Sequence, residues 1–157
     1  MKVAVGSDHA GFALKERLKR ELEALGHTVV DVGPASGEAS VDYPDFVIPV
    51  AEKVARGEAE RGVVACATGI GAGIAANKVP GVRAAVVTSD ETARLTRTDN
   101  DSNVLSVGGR TTPDYEDAVR WLRIWLETPF AGGRHERRVK KISDYESTHT
   151  LERQGHP

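Results

Sequence analysis

The segment Cys66-Ala67-Thr68-Gly69-Ile70-Gly71-Ala72-Gly73 puts a sulfur, a hydroxyl and three glycines side by side. Its glycines let the backbone curl so that several N–H groups converge, a nest suited to an anion or a developing oxyanion. A helix expected directly afterwards would aim its amino terminus at the same spot. A thiol between a strand and such a nest sits where its thiolate is favoured. A cysteine here also fits a simpler role, that of a small core residue beside a tight turn. The segment alone does not choose between them.

Three further groups could do chemistry. Asp8 and His9, in Gly6-Ser7-Asp8-His9-Ala10-Gly11, put a carboxylate next to an imidazole. Ser7 or Asp8 can equally cap the helix that follows, and one residue can do both. In Arg134-His135-Glu136-Arg137-Arg138, the first and last arginines stand one helical turn apart, suited to gripping a phosphate from two sides. Taken alone, that run is better explained as a solvated basic face, because charge runs usually are just that. Finally, Gly71-x-Gly73-x-x-Ala76 with Asp90 downstream fits a dinucleotide-binding fingerprint. The match begins five residues after the expected strand end at Cys66, so it is a poor one.

The elements that must position these groups alternate along the chain. Short β-rich runs are read at residues 2–5, 28–32, 62–66, 82–87 and 103–107. Helical patterns are read at about 10–25, 42–56, 74–78, 91–98, 114–126 and 135–145. In the first helix Leu14, Leu18, Leu22 and Leu25 recur at helical spacing. Strands separated by helices of this length imply right-handed crossovers and a parallel sheet covered on both faces. Ligands of such sheets bind beyond the carboxyl ends of the strands. Segments 6–11, 66–73 and 108–110 are therefore expected on one rim. The last helix has no strand after it, so it either caps the domain or reaches a partner subunit.

Composition narrows the class. A chain of 157 residues is one domain's worth, read as residues 1–146 followed by a polar tail over 147–157. A formal charge of −2 lacks the basic excess that nucleic-acid binding wants. One cysteine makes no internal disulfide and suits a reducing compartment. No apolar run approaches the roughly 20 residues that span a bilayer, and no secretion signal is read at the start. The expectation is a cytoplasmic protein without a membrane segment.

The pieces together resemble one family. Gly6-Ser7-Asp8-His9-Ala10-Gly11, Asp42-Tyr43-Pro44, Cys66 through Gly71, Ile74-Ala75-Ala76-Asn77-Lys78, Asn100-Asp101-Ser102-Asn103-Val104-Leu105 and Gly132-Gly133-Arg134-His135-x-x-Arg138 follow in the order seen in ribose-5-phosphate isomerase B and galactose-6-phosphate isomerase. The resemblance implies a Rossmann-like αβα sandwich with a five-stranded parallel sheet. It also implies a homodimer, or a dimer of dimers, with active sites at the subunit interface. The implied reaction is aldose–ketose isomerisation of a phosphorylated sugar, with no metal and no organic cofactor. It needs a base that moves a proton between adjacent carbons and donors for the intervening enediolate.

By that resemblance Cys66 is the base, and Gly69, Gly71 and Gly73 belong to the N–H nest. Thr68 bonds a reacting oxygen. His9, Arg110, Arg134 and Arg138 hold the phosphate, some of them from the neighbouring chain. Asp8 and Asn100 contact hydroxyls or the reacting oxygens. One branch of the family carries a glutamate where this chain has Ala72, so the chain resembles the cysteine branch.

One position departs from the pattern. Before Asn100 the family typically has a histidine thought to open the sugar ring, and here Asp99 stands there. An aspartate is a poor proton donor at neutral pH. Either another group such as Asp8 opens the ring of ribose 5-phosphate, or the substrate is a tetrose phosphate, which cannot close a furanose ring through its phosphorylated oxygen. On the second account, returning histidine to position 99 would raise activity on cyclic pentose phosphates. A binding module that holds a nucleotide or sugar phosphate without turnover is the rival from another class.

Overall fold

The structure, a computed structural model, describes residues 1–148. Its elements are β1 (Lys2–Ser7), α1 (Phe12–Ala24), β2 (Thr28–Asp31), α2 (Tyr43–Ala55), β3 (Arg61–Cys66), α3 (Ile70–Ala76), β4 (Ala84–Val86), α4 (Asp90–Thr98), β5 (Val104–Gly108), α5 (Tyr115–Glu127) and α6 (Arg134–Thr148). All five strands are parallel, in the order β2-β1-β3-β5-β4. The Rossmann-like α/β sandwich expected from the sequence is the fold.

Alternation along the strands splits the core in two. Val3, Val5, Val63, Ala65, Leu105 and Val107 face α1, α4 and α5, where Leu14, Leu18, Leu22, Ala93, Leu122 and Trp125 meet them. Ala4, Val64, Cys66 and Val104 face the other way, onto Val47, Val50 and Val54 of α2 and Ala72, Ala75 and Ala76 of α3. Cys66 therefore belongs to the α2–α3 side. Trp125 is fully buried, and its indole N–H donates to Ser102 Oγ at 2.9 Å. That bond pins the loop before β5 to α5.

Two boundaries differ from the sequence reading in ways that matter. The expected loop over 69–73 is mostly helix, because α3 starts at Ile70. Helix α6 continues to Thr148, through the start of the expected tail, and residues 149–157 lie outside the described residues. No residue of α6 is buried, and its Ile142 and Tyr145 are half exposed. Among the described residues no helix is long and apolar enough to cross a membrane.

Candidate active site

Strand register brings three strand ends together. Ser7 pairs with Ala65, and Cys66 pairs with Gly108. The chain turns in opposite directions from β1 and β3, so the rim between them is the switch point where such sheets hold ligands. The backbone past β5 is stitched to the end of β3: Gly109 N–H donates to Cys66 O at 2.8 Å and Arg110 N–H to Ala67 O at 2.9 Å. Asp8, His9, Cys66, Thr68, Gly69 and Arg110 thus share the carboxyl rim, as expected.

Around Cys66 the geometry is tight. The Gly69 N–H donates to its Sγ at 3.2 Å, and the residue is 4% exposed. Gly69 adopts φ +78°, and its carbonyl accepts from the buried Ser106 Oγ at 2.6 Å and from Gly73 N–H at 3.0 Å. Thr68 Oγ1 accepts from Ile70 N–H at 3.1 Å, which leaves the hydroxyl proton to donate elsewhere. The N–H groups of Gly71 and Ala72, in the first turn of α3, have no partner among the described residues.

The expected nest needs a correction here. Gly73 cannot serve it, because its N–H closes the first turn of the helix. Gly73 is instead a glycine for packing, and Gly71, whose N–H has no partner among the described residues, is packed as tightly. A Cβ at Gly71 would meet the Tyr43 ring at 2.7 Å, and one at Gly73 would meet Val86 Cγ2 at 2.9 Å. The dinucleotide fingerprint fails for the same reason, since both glycines lie inside α3 rather than in a strand-to-helix turn. Its supposed ribose acid, Asp90, pairs with Arg120 at 2.9 Å.

Asp8 and His9 are both anchored. Asp8 Oδ1 accepts from Gly11 N–H at 2.9 Å, and the side chain is buried; Gly11 is the N-cap of α1 and no side chain caps that helix, so Asp8 braces the turn before it rather than capping it. His9 Nδ1 lies 3.1 Å from Val41 N and 3.2 Å from Val41 O, so the backbone of Val41 holds the ring. The two residues help line a cavity of about 500 Å³ with residues 40–45.

The remaining expected residues lie elsewhere. Helix α4 runs back from the carboxyl rim, so Asp99 and Asn100 fall before β5, at the opposite edge of the sheet. Four strand steps from Val104 to Gly108 alone put about 13 Å between the two edges. Arg134 and Arg138 go with Asp99: Ala131 N–H donates to Thr98 O at 3.1 Å, and His135 Nε2 lies 3.5 Å from Asp99 Oδ1. A groove of about 350 Å³ beside them is lined by Asn100, Arg83, Asn77, Ile142 and Glu146. The sequence-predicted residues therefore form two groups on one chain, and neither of these two cavities is lined by both.

The description "Ribose/Galactose Isomerase" fits residues 3–142 of the chain. The chain belongs to the ribose/galactose isomerase family. It is 42% identical to ribose-5-phosphate isomerase B of Escherichia coli over 145 residues, covering 92% of this chain and 96% of that one. The solved ribose-5-phosphate isomerase B of Clostridium thermocellum superposes with a TM-score of 0.90 at 48% identity, over 94% of this chain and 98% of the other. A Mycoplasma genitalium ribose-5-phosphate isomerase B with bound ribulose-5-phosphate also gives 0.90, at 39% identity, over 94% and 97%.

Two side chains that contact expected site residues went unread in that role. Ser106 is the one polar residue of β5, and its hydroxyl fixes Gly69; a lone polar residue in a buried strand was the available signal. His135 was quoted in the basic run and in the motif Gly132-Gly133-Arg134-His135-x-x-Arg138 without a role, and nothing in the spacing ties it to Asp99. Gly69→Ala would force a left-handed alanine whose Cβ meets the Val107 carbonyl carbon at 2.9 Å. The expected cost is about 2–5 kcal/mol of stability, read by urea unfolding, with loss of the Gly69–Cys66 bond.

Proposed function

We propose that the chain interconverts ribose 5-phosphate and ribulose 5-phosphate, with Cys66 as the base. The observation that carries this reading is the Cys66 sulfur held by Gly69 N–H at the carboxyl rim, with the partnerless Gly71 and Ala72 N–H groups in the next turn. The names of the relatives supply the substrate. In the open-chain aldose the thiolate takes the C2 proton, and the electron pair forms the C1–C2 double bond as charge moves to O1. The N–H groups and Thr68 stabilise that oxygen, and a proton passes from O2 to O1. The Cys66 thiol then returns its proton to C1, giving the ketose. Proton transfers within one substrate call for no metal or organic cofactor.

The two separated groups argue for a site shared between subunits of a homodimer, alone or paired as a dimer of dimers. Cys66, Thr68, Asp8, His9 and Arg110 of one chain would face Asn100, Arg134 and Arg138 of its partner, the arginines taking the phosphate. Apolar exposure agrees with such a partner. Ile70 and Ile74 on α3 are 57% and 59% exposed, with Tyr43 and Val86 beside them. Helix α6, which has no fully buried residue on its own chain, is the element to cross over. The single buried cysteine supports a cytoplasmic setting.

Asp99 favours a second reading, a tetrose-phosphate isomerase, because that substrate needs no ring opening. Turnover of ribose 5-phosphate against erythrose 4-phosphate separates the two. The pentose is expected to react at least about tenfold faster. A preference for the tetrose would move the assignment to that sugar. Saturable binding without turnover of either would support the binding module.

A further inference from the structure

The histidine missing at position 99 has a counterpart in space. His135, the second residue of α6, places Nε2 3.5 Å from Asp99 Oδ1, and its side chain is only 16% exposed. Asp99 is itself fixed: its backbone N–H closes the last turn of α4 on Leu95 O at 2.9 Å, and its Oδ1 accepts from Thr98 Oγ1 at 2.8 Å. Two left-handed glycines, Gly132 and Gly133, turn the chain into α6, and His135 N–H donates to Gly132 O at 3.1 Å. The Ala131–Thr98 bond ties that turn to the end of α4. The imidazole and the carboxylate are thus held together by the backbone of two elements. Arg134 and Arg138 flank the histidine on one helix, and Asn100 adjoins the aspartate.

We propose that His135, oriented by Asp99, opens the furanose ring of the aldopentose phosphate. This rests on the isomerase reading and on the shared site. In the tautomer with its proton on Nε2, facing Asp99, Nδ1 has a lone pair. Nδ1 takes the proton from O1 of the cyclic sugar, and C1=O forms as the C1–O4 bond breaks. The bond pair goes to O4, which receives the same proton back from Nδ1. Atoms and charge balance, and the enzyme ends as it began. The Asp99 carboxylate stabilises the transient imidazolium, so Asp99 is the positioning residue and His135 the catalytic one. Asp8 is less suited to the task, being buried with Oδ1 committed to Gly11.

Ribulose 5-phosphate, whose C5 oxygen is phosphorylated, is acyclic, so its isomerising half-reaction needs no ring opening. The test measures two rates for His135→Asn and Asp99→Asn: conversion of ribose 5-phosphate, and entry of solvent deuterium at C1 of ribulose 5-phosphate. For His135→Asn the expected result is a fall of about 10²-fold in kcat on ribose 5-phosphate, with C1 exchange kept to within a few-fold. Asp99→Asn should show the same split, less steeply. Asp99→His, which removes the carboxylate, should lower ribose 5-phosphate turnover. Equal loss of both rates in His135→Asn would make His135 part of substrate binding and overturn the proposal. So would no loss of either, or a gain for Asp99→His. A wild-type protein that exchanges neither substrate would instead refute the isomerase reading on which this one stands.

Discussion

Replacing Cys66 by serine is expected to lower isomerase turnover by about 10²–10⁴-fold, the range of a lost general base. Serine nearly matches cysteine in volume, and its hydroxyl can still accept the Gly69 N–H that now reaches sulfur at 3.2 Å. The α2–α3 side of the core should therefore stay packed. What changes is proton affinity: an alcohol is too weak an acid to leave a usable alkoxide near neutral pH, whereas a thiol ionises readily. Ribose 5-phosphate should still bind the variant, because the arginines and histidine assigned to the phosphate are untouched. Calorimetric titration of the inactive protein with ribose 5-phosphate checks that half, and a turnover assay checks the other. Full activity in Cys66→Ser would remove Cys66 from the mechanism.

Mixing two inactive variants gives the second large effect. In Cys66→Ser the carboxyl rim is damaged, and in Arg138→Ala the opposite edge is. If each site takes one edge from each subunit, a mixed dimer has one doubly damaged site and one intact site. Random pairing in a two-fold dimer makes half the dimers mixed, so about one quarter of wild-type activity should return on co-expression. The pair Cys66→Ser with Arg110→Ala is the control. Both substitutions fall on one rim, where Arg110 N–H donates to Ala67 O, so their mixture should stay inactive. No recovery in the test pair would place the whole site within one chain, and recovery in the control would put Arg110 with the partner's edge rather than beside Cys66.

Much of this arrangement was legible in the residues because its causes are local. Alternating short apolar runs and amphipathic stretches give the five strands and the helices between them, and β3 ends at Cys66 where the glycines begin. The start of α3 was not legible, since two glycines disfavour a helix by propensity. Tertiary contacts decide it: Tyr43 over Gly71 and Val86 against Gly73 leave no room for side chains. The order of β4 and β5 was equally hidden, because connection length does not say which strand lies next to β3.

The separation of Asp99 and Asn100 from Cys66 was readable in principle. A helix that precedes a parallel strand must end at that strand's amino edge, and α4 precedes β5. The motifs' order along the chain drew attention to what they contain rather than to the edge on which they fall. The meeting of Asp99 with His135 could not be read at all. It depends on the turn at Gly132 and Gly133 and on one backbone bond from Ala131 to Thr98.

The most direct test of the central claim is proton NMR of the wild-type protein with ribose 5-phosphate in heavy water. A thiol that carries a proton from C2 to C1 exchanges part of it with solvent at each passage. After many turnovers the account expects ribulose 5-phosphate deuterated at C1 and recovered ribose 5-phosphate deuterated at C2. Conversion with the original hydrogen wholly retained at both carbons would contradict it, because that result belongs to direct hydride transfer and leaves Cys66 no proton to move.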